Sequence, residues 1–472
     1  MATRNTVNLS HLSVCVDDAR KAARKTAQGP RNDENHARLM KRLGKAREAL
    51  PPLYRNSVAD PFMAKLDALG ESGLASILAR DPAHERAAGM LFDITQALLQ
   101  NGEHYEQPAT DAFQEVISDI YDGFLSAEDR SGIRPPDDSM IAPLVKWGDP
   151  ALGPYTWPAE ATRAYAIQTA IVSMPPAHAR SGLLAWSTLG HETAGHDILS
   201  ANDGLLQELQ ARVRQALIQA KFGEHLAHYW SVRIDETASD VMGVLNMGPA
   251  AAIGLIGYLR GLNAANGGAA NGGAANGAGP HLWSEGPEDE VHPADVLRGE
   301  LGAGVAELLP FGQGREWAEA IRAEVDADIA HNGGGIVLAG ETFKPSAARR
   351  SARTVAALIA NQKWDTLDGH AFSEIQTWRD SDEAITQELR AVLASSKALP
   401  QRFASDHYAA HALSAAVIGS IAGDAPLTRI FDRAIAVLNI MHAHNASWGP
   451  LLVRHPSDVH RHFVYPPRSK GV

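Results

Sequence analysis

Six residues near the middle of the chain, His191-Glu192-Thr193-Ala194-Gly195-His196, hold the side chains a hydrolytic metal site requires. Such a site takes three protein ligands, usually histidines and a carboxylate. It keeps one coordination position open for water and places a further carboxylate to accept the water's proton. The common solution is H-E-x-x-H on a helix, which sets both imidazoles on one face with the glutamate beside the first. Here the spacing is one residue longer. On an ideal α-helix, positions i and i+5 lie roughly 140° apart, too far round to share one ion. The segment is therefore predicted to widen into a π-type bulge, a distortion found often at functional sites. Gly195, directly before the second histidine, tolerates such a distortion. Two readings stay open for the segment alone: a site in which His191 and His196 hold Zn2+ beside Glu192, and an ordinary helix with two unrelated histidines.

A third ligand is offered forty residues later by Arg233-Ile-Asp235-Glu236-Thr-Ala-Ser-Asp240. Glu236 and Asp240 are four apart and share a helix face. The next residues, Val241-Met242-Gly243-Val244-Leu245, are apolar, so this helix runs into the core. A carboxylate pair entering a core needs a cation or a hydrogen-bonded partner. Glu236 is thus expected to complete the ligand set. Asp240 is expected to accept a hydrogen bond from the far nitrogen of a ligating histidine and so fix its tautomer.

His191 to His196 resembles the HExxGH motif of dipeptidyl peptidase III, and Asp235-Glu236-Thr-Ala-Ser-Asp240 resembles that family's EExxA(D/E) motif. The order of a strand, a zinc-binding helix and a helix with ExxxD is similar to gluzincin peptidases at large. The resemblance spans residues 166 to 300. It implies zinc held by His191, His196 and Glu236, a zincin-like core, and peptide hydrolysis with Glu192 as base. That family uses a downstream histidine to stabilise the transition state, and His292 falls at a suitable distance. His292-Pro-Ala-Asp-Val-Leu-Arg298 is also similar to a segment of CAAX-prenyl endopeptidases. His292 is the first candidate to face the oxyanion, followed by Arg298 and Tyr229. A helix-start histidine before Pro293 is the other reading of His292.

The elements that must position these residues are mostly helical. Apolar residues recur at three- and four-residue steps in Glu85 to Leu99, Phe113 to Phe124 and Thr354 to Asn361. The best strand signal is Ala166 to Met174, stopped by Pro175-Pro176, and its edge could bind an extended peptide. The fold class is mainly α (α+β), with a small sheet and flanking helical regions. Three blocks are expected: an N-terminal helical region over 1–140, a catalytic core over 150–300 and a C-terminal helical region over 301–472. The uncharged stretch Val241 to Leu259 contains Asn246, Pro249 and four glycines, which favours a buried helical hairpin over a membrane span. The repeat Ala264 to Gly279, AANGGAANGGAANGAG, reads as a flexible spacer or a mobile loop near the site.

A formal net charge of −12 argues against nucleic acid as a partner. The first fifty residues run the other way, with eleven Lys/Arg against five Asp/Glu, and read as a solvated amphipathic helix or a docking arm. One cysteine, Cys15, and an N-terminus without an apolar leader point to a reducing, cytoplasmic setting. Of the seven histidines after residue 400, His407 and His411 could pair at i, i+4, but no acidic third ligand follows, and a helix surface is the default. The expected partner is a peptide or small amide substrate. Two alternatives stay open: a zinc hydrolase of a non-peptide amide or metabolite, and a non-catalytic helical binding protein. A carboxylate-bridged di-iron site is disfavoured, because it wants E-x-x-H and the spacing here is E-x-x-x-H.

Overall fold

The computed structural model describes residues 7–26, 29–30, 35–79, 85–125, 133, 136–137, 141–167, 169–266, 279–404 and 408–448. Residues 267–278 of the glycine–alanine repeat, His407, His455, His460 and His462 lie outside them. The described chain is mainly helical, with two small three-stranded sheets. The periodic segments form helices at Glu85–Gly102, Gln107–Leu125 and Pro345–Asn361. Among the described residues, no helix is long and apolar enough to cross a membrane.

Five helices carry the rest of the argument: α1 (Leu12–Ala23), α2 (Gln107–Leu125), α3 (Ile234–Met247), α4 (Pro249–Asn266) and α5 (Asp295–Leu308). The basic N-terminal stretch contributes α1, which buries Leu12, Cys15, Val16, Ala19 and Ala22 at helical spacing. It lies close against α4: a Cβ at Gly261 would sit 3.0 Å from the Arg20 backbone nitrogen and 3.1 Å from the Val16 carbonyl oxygen. The Val241–Leu259 stretch is the expected buried hairpin. α3 stops at Gly248, which takes φ 61, and Pro249 opens α4. Proline suits a first helical turn because its missing N–H has no partner there.

Two apolar cores result. The larger joins α1, α2 and α3 to α4, α5 and the helices up to Met441, drawing on all three sequence blocks. The smaller is built from residues 39–99 with Ile141, Leu144, Tyr165, Ile167 and Ile171. The first sheet lies where these cores meet. Its strands β1 (Leu144–Trp147), β2 (Tyr155–Trp157) and β3 (Ile171–Met174) are ordered β1-β3-β2, with β1 parallel and β2 antiparallel to β3.

Two expectations about the strand are corrected. It begins at Ile171 rather than Ala166, because Arg163–Tyr165 form a helical turn that Ala166 closes in the left-handed conformation, φ 64. It is also the central strand. Both edges of β3 are paired, so it offers none to a peptide. A second sheet, not foreseen, pairs β4 (Glu285–Gly286) with β5 (Ile336–Leu338) and β5 with β6 (Glu341–Phe343). β4 pins the start of the loop that carries His292.

Candidate metal centre

Gly190–Asp197 is π-helical, as the five-residue histidine spacing predicts. In a π-helix the i→i+5 hydrogen bond places residue i+5 over residue i. The His191 and His196 rings accordingly stand edge to face with centroids 4.8 Å apart. This helix packs on α3 almost backbone to backbone. A Cβ at Gly190 would sit 3.0 Å from Gly243 Cα, and one at Gly195 would land on the Ser239 side chain. Gly195 is needed for that close approach; its φ is not in the left-handed region.

The close approach delivers Glu236 to the histidines. One ligand atom each from His191, His196 and Glu236 lies within 4.8 Å of the others, the group among the described residues that could hold a metal ion. Glu236 Oε2 is 3.2 Å from His191 Nε2 and Oε1 is 3.7 Å from His196 Nε2. His292 Nε2 is also 3.2 Å from Glu236 Oε2. None of these nitrogens is aligned on Oε2 for a hydrogen bond, so a buried carboxylate oxygen remains without one. A divalent cation among the three side chains would satisfy it, and two imidazoles with one carboxylate are a fitting donor set for zinc.

The outer ring nitrogens are held by acids. Asp240 Oδ1 is 2.8 Å from His191 Nδ1, as expected, and Asp235 Oδ1 is 3.1 Å from His196 Nδ1. Each carboxylate can accept an Nδ1–H and so turn Nε2 towards the centre. Asp235 in this role was missed, although its position beside Glu236 was the signal. Asp240 in turn accepts from Arg298 Nε at 2.8 Å and from its terminal nitrogen at 2.7 Å. Burial would raise the Asp240 carboxyl, but Arg298 and His191 hold it down at about 2. Burial would lower His191, yet Asp240 and Glu236 bring it up to about 10 without an ion. Glu236 lies well below the usual carboxylate range despite its burial, because three histidines surround it.

The remaining predicted residues divide. Glu192 is buried beside His191, and Thr156 of β2 donates to its Oε2 at 2.8 Å. His292 reaches the centre and is steadied by Glu290 Oε1, 2.8 Å from its Nδ1. Arg298 is committed to Asp240, which makes it an anchor for the carboxylate behind His191 rather than a free oxyanion donor. Tyr229 is also placed differently from its expected role. Its buried hydroxyl accepts from the Ala294 N–H at 2.8 Å, and so it props the loop behind His292. Arg233 lies over the Tyr229 ring at 4.1 Å and donates to the carbonyls of Pro287, Glu288 and His292. Of the C-terminal histidines among the described residues, His411 stacks on Trp378 and meets Asp382, and His442 meets Glu115.

A cavity of about 300 Å³ opens at the centre, lined in part by His191, Glu192, His292 and Arg298. Tyr258 of α4 was missed by sequence reasoning. It lines the same cavity, is only 3% exposed, and its hydroxyl has no hydrogen-bond partner among the described residues. The hydroxyl's pKa is raised by burial and by the nearby Glu192 carboxylate. No short motif marks such a tyrosine; only the fold brings it to Glu192. No protein-family model matches the chain, and neither a curated protein nor a solved structure matches it.

Proposed function

We propose that the protein is a zinc-dependent hydrolase with a zincin-like core, and within that class a peptidase. The observation that carries this reading is the meeting of His191, His196 and Glu236 around an oxygen that lacks a hydrogen bond, with Glu192 on the wall of the adjoining cavity. Held by these three residues, zinc would supply a Lewis acid and a water of near-neutral pKa.

The chain's own groups do the rest. Thr156 orients the Glu192 carboxylate through Oε2. Glu192 takes the proton from the attacking water and hands it to the leaving amine. Negative charge developing on the carbonyl oxygen meets His292 and the Tyr258 hydroxyl, which takes the donor role first assigned to Tyr229. Asp240 and Asp235 keep both ligand rings in one tautomer. An extended substrate would run along β2, an edge strand, rather than along β3.

The cavity volume favours a compact substrate. About 300 Å³ is at the lower end of ligand sites, roughly 300–1,000 Å³. A short peptide or a small non-peptide amide fits better than a folded protein. The test compares wild type with Glu192→Gln, using zinc content and hydrolysis of a short-peptide library. Zinc should remain stoichiometric while turnover falls by about 10²–10⁴-fold, the range typical of a lost general base. Full activity in the variant would remove Glu192 from its role. A zinc-loaded wild type that cleaves small amides but no peptide would favour the non-peptide reading.

A further inference from the structure

Acids predominate on the cavity wall, where His191 faces the proposed metal centre and His292 is held by Glu290. Besides Glu192, the cavity is lined by Glu285, Glu290 and Asp295, and its one lining arginine, Arg298, is already committed to Asp240. Among the described residues, Asp295 has no cation within ion-pair distance. Its Oδ2 accepts from Asn263 Nδ2 at 2.8 Å and from the Trp283 N–H at 3.1 Å, both neutral donors. Burial raises its pKa despite the more distant charges of Arg298 and His292, which lower it. Around these acids the walls are apolar, with Leu152, Pro154, Leu255, Leu259 and Leu262. The orphaned Tyr258 hydroxyl, an independent feature of the same cavity, also lacks something to bind.

We propose that this cavity selects substrates bearing an organic cation, a primary ammonium or a guanidinium on an apolar stem, seated against Asp295, Glu285 and Glu290. Tyr258 then faces the neutral amide of the same molecule. The inference rests on the hydrolase reading for the chemistry after binding, but the binding itself does not require turnover. A carboxylate beside a low-dielectric cavity attracts a cation more strongly than it would in water.

The cation could be an α-ammonium or a basic side chain, and three probes separate these. Leucinamide carries only the first, N-acetyl-lysinamide only the second, and N-acetyl-leucinamide neither. Affinities are measured by calorimetry on full-length, zinc-loaded Glu192→Gln protein, so that none is consumed. At least one cationic probe should bind tenfold or more tightly than N-acetyl-leucinamide. That preference should shrink with added salt and with either Asp295→Asn or the exposed Glu285→Gln. Equal binding of all three probes, no binding of either cationic probe, or a preference untouched by both substitutions would overturn the proposal. Failure of the hydrolase reading would look different: cation preference would persist while wild type hydrolysed neither the probes nor any member of the short-peptide library.

Discussion

Asp240 lies between His191, a ligand in the proposed metal site, and the buried Arg298, and replacing it with asparagine separates their contributions. Asparagine keeps the volume but turns one acceptor into a donor, so an N–H would face the Arg298 guanidinium or His191 Nδ1. Two charge-assisted hydrogen bonds to Arg298, at 2.8 and 2.7 Å, are weakened or lost. Such bonds contribute about 1.5–3 kcal/mol each. One-sided removal of a buried ion pair costs about 3–5 kcal/mol because the remaining charge stays desolvated. The expected loss is therefore about 3–5 kcal/mol, read by urea unfolding with a chelator present. Metal affinity, read by chelator competition, should fall about 10–100-fold as His191 loses its carboxylate. The double variant Asp240→Asn/Arg298→Met removes the stranded charge and should recover most of the stability. It should not recover the metal affinity. A loss below about 1 kcal/mol in the single variant, or wild-type metal affinity in the double, would refute this reasoning.

Other outcomes rest on the same geometry. Gly195→Ala would drive a methyl into Ser239 and part the π-helix from α3, costing about 1–3 kcal/mol in unfolding experiments and weakening metal binding. His178 is buried, its Nδ1–H donates to the Gly182 carbonyl at 3.2 Å, and desolvation holds its pKa down at about 4. Its folded pKa lies below the unfolded value of about 6.5, so its contribution is complete above that pH and is lost as pH falls towards 4. The loss is about 3 kcal/mol, and a His178→Phe variant should show a correspondingly flatter stability profile between those limits. Adding zinc at a hundred times its Kd should stabilise wild type by about 2.7 kcal/mol in thermal unfolding, and should leave His191→Ala/His196→Ala nearly unmoved.

That His191, His196, Glu236 and Asp240 would come together was legible in the sequence because each pair is local. His191 and His196 are fixed by one helix, and Glu236 with Asp240 by another, so spacing alone sets which side chains share a face. The π-bulge was legible for the same reason. The gap between Val241 and Leu259 was marked by Gly248-Pro249, which breaks any helix. Residues that depend on a meeting of distant elements were not legible. Tyr258 reaches the cavity beside Glu192 only because α4 packs on Leu183–Thr188, the segment that leads into the π-helix, and Arg298 reaches Asp240 only because α5 packs on α3. Tyr229 and Arg298 were therefore given roles that suited their chemistry but not their places. The strand was misjudged for a related reason: β-branched composition marks Ile171–Met174, while pairing on both sides, which makes β3 central, is set by β1 and β2.

The central claim is that His191, His196 and Glu236 hold a divalent metal, and metal content measures it most directly. Full-length protein, purified, incubated with zinc and freed of excess, is analysed by inductively coupled plasma mass spectrometry beside Glu236→Gln and His191→Ala/His196→Ala. One zinc per wild-type chain, with the double-histidine variant near zero and Glu236→Gln markedly reduced, is the predicted result. Wild type without stoichiometric zinc, or ligand variants that retain it, would contradict the account.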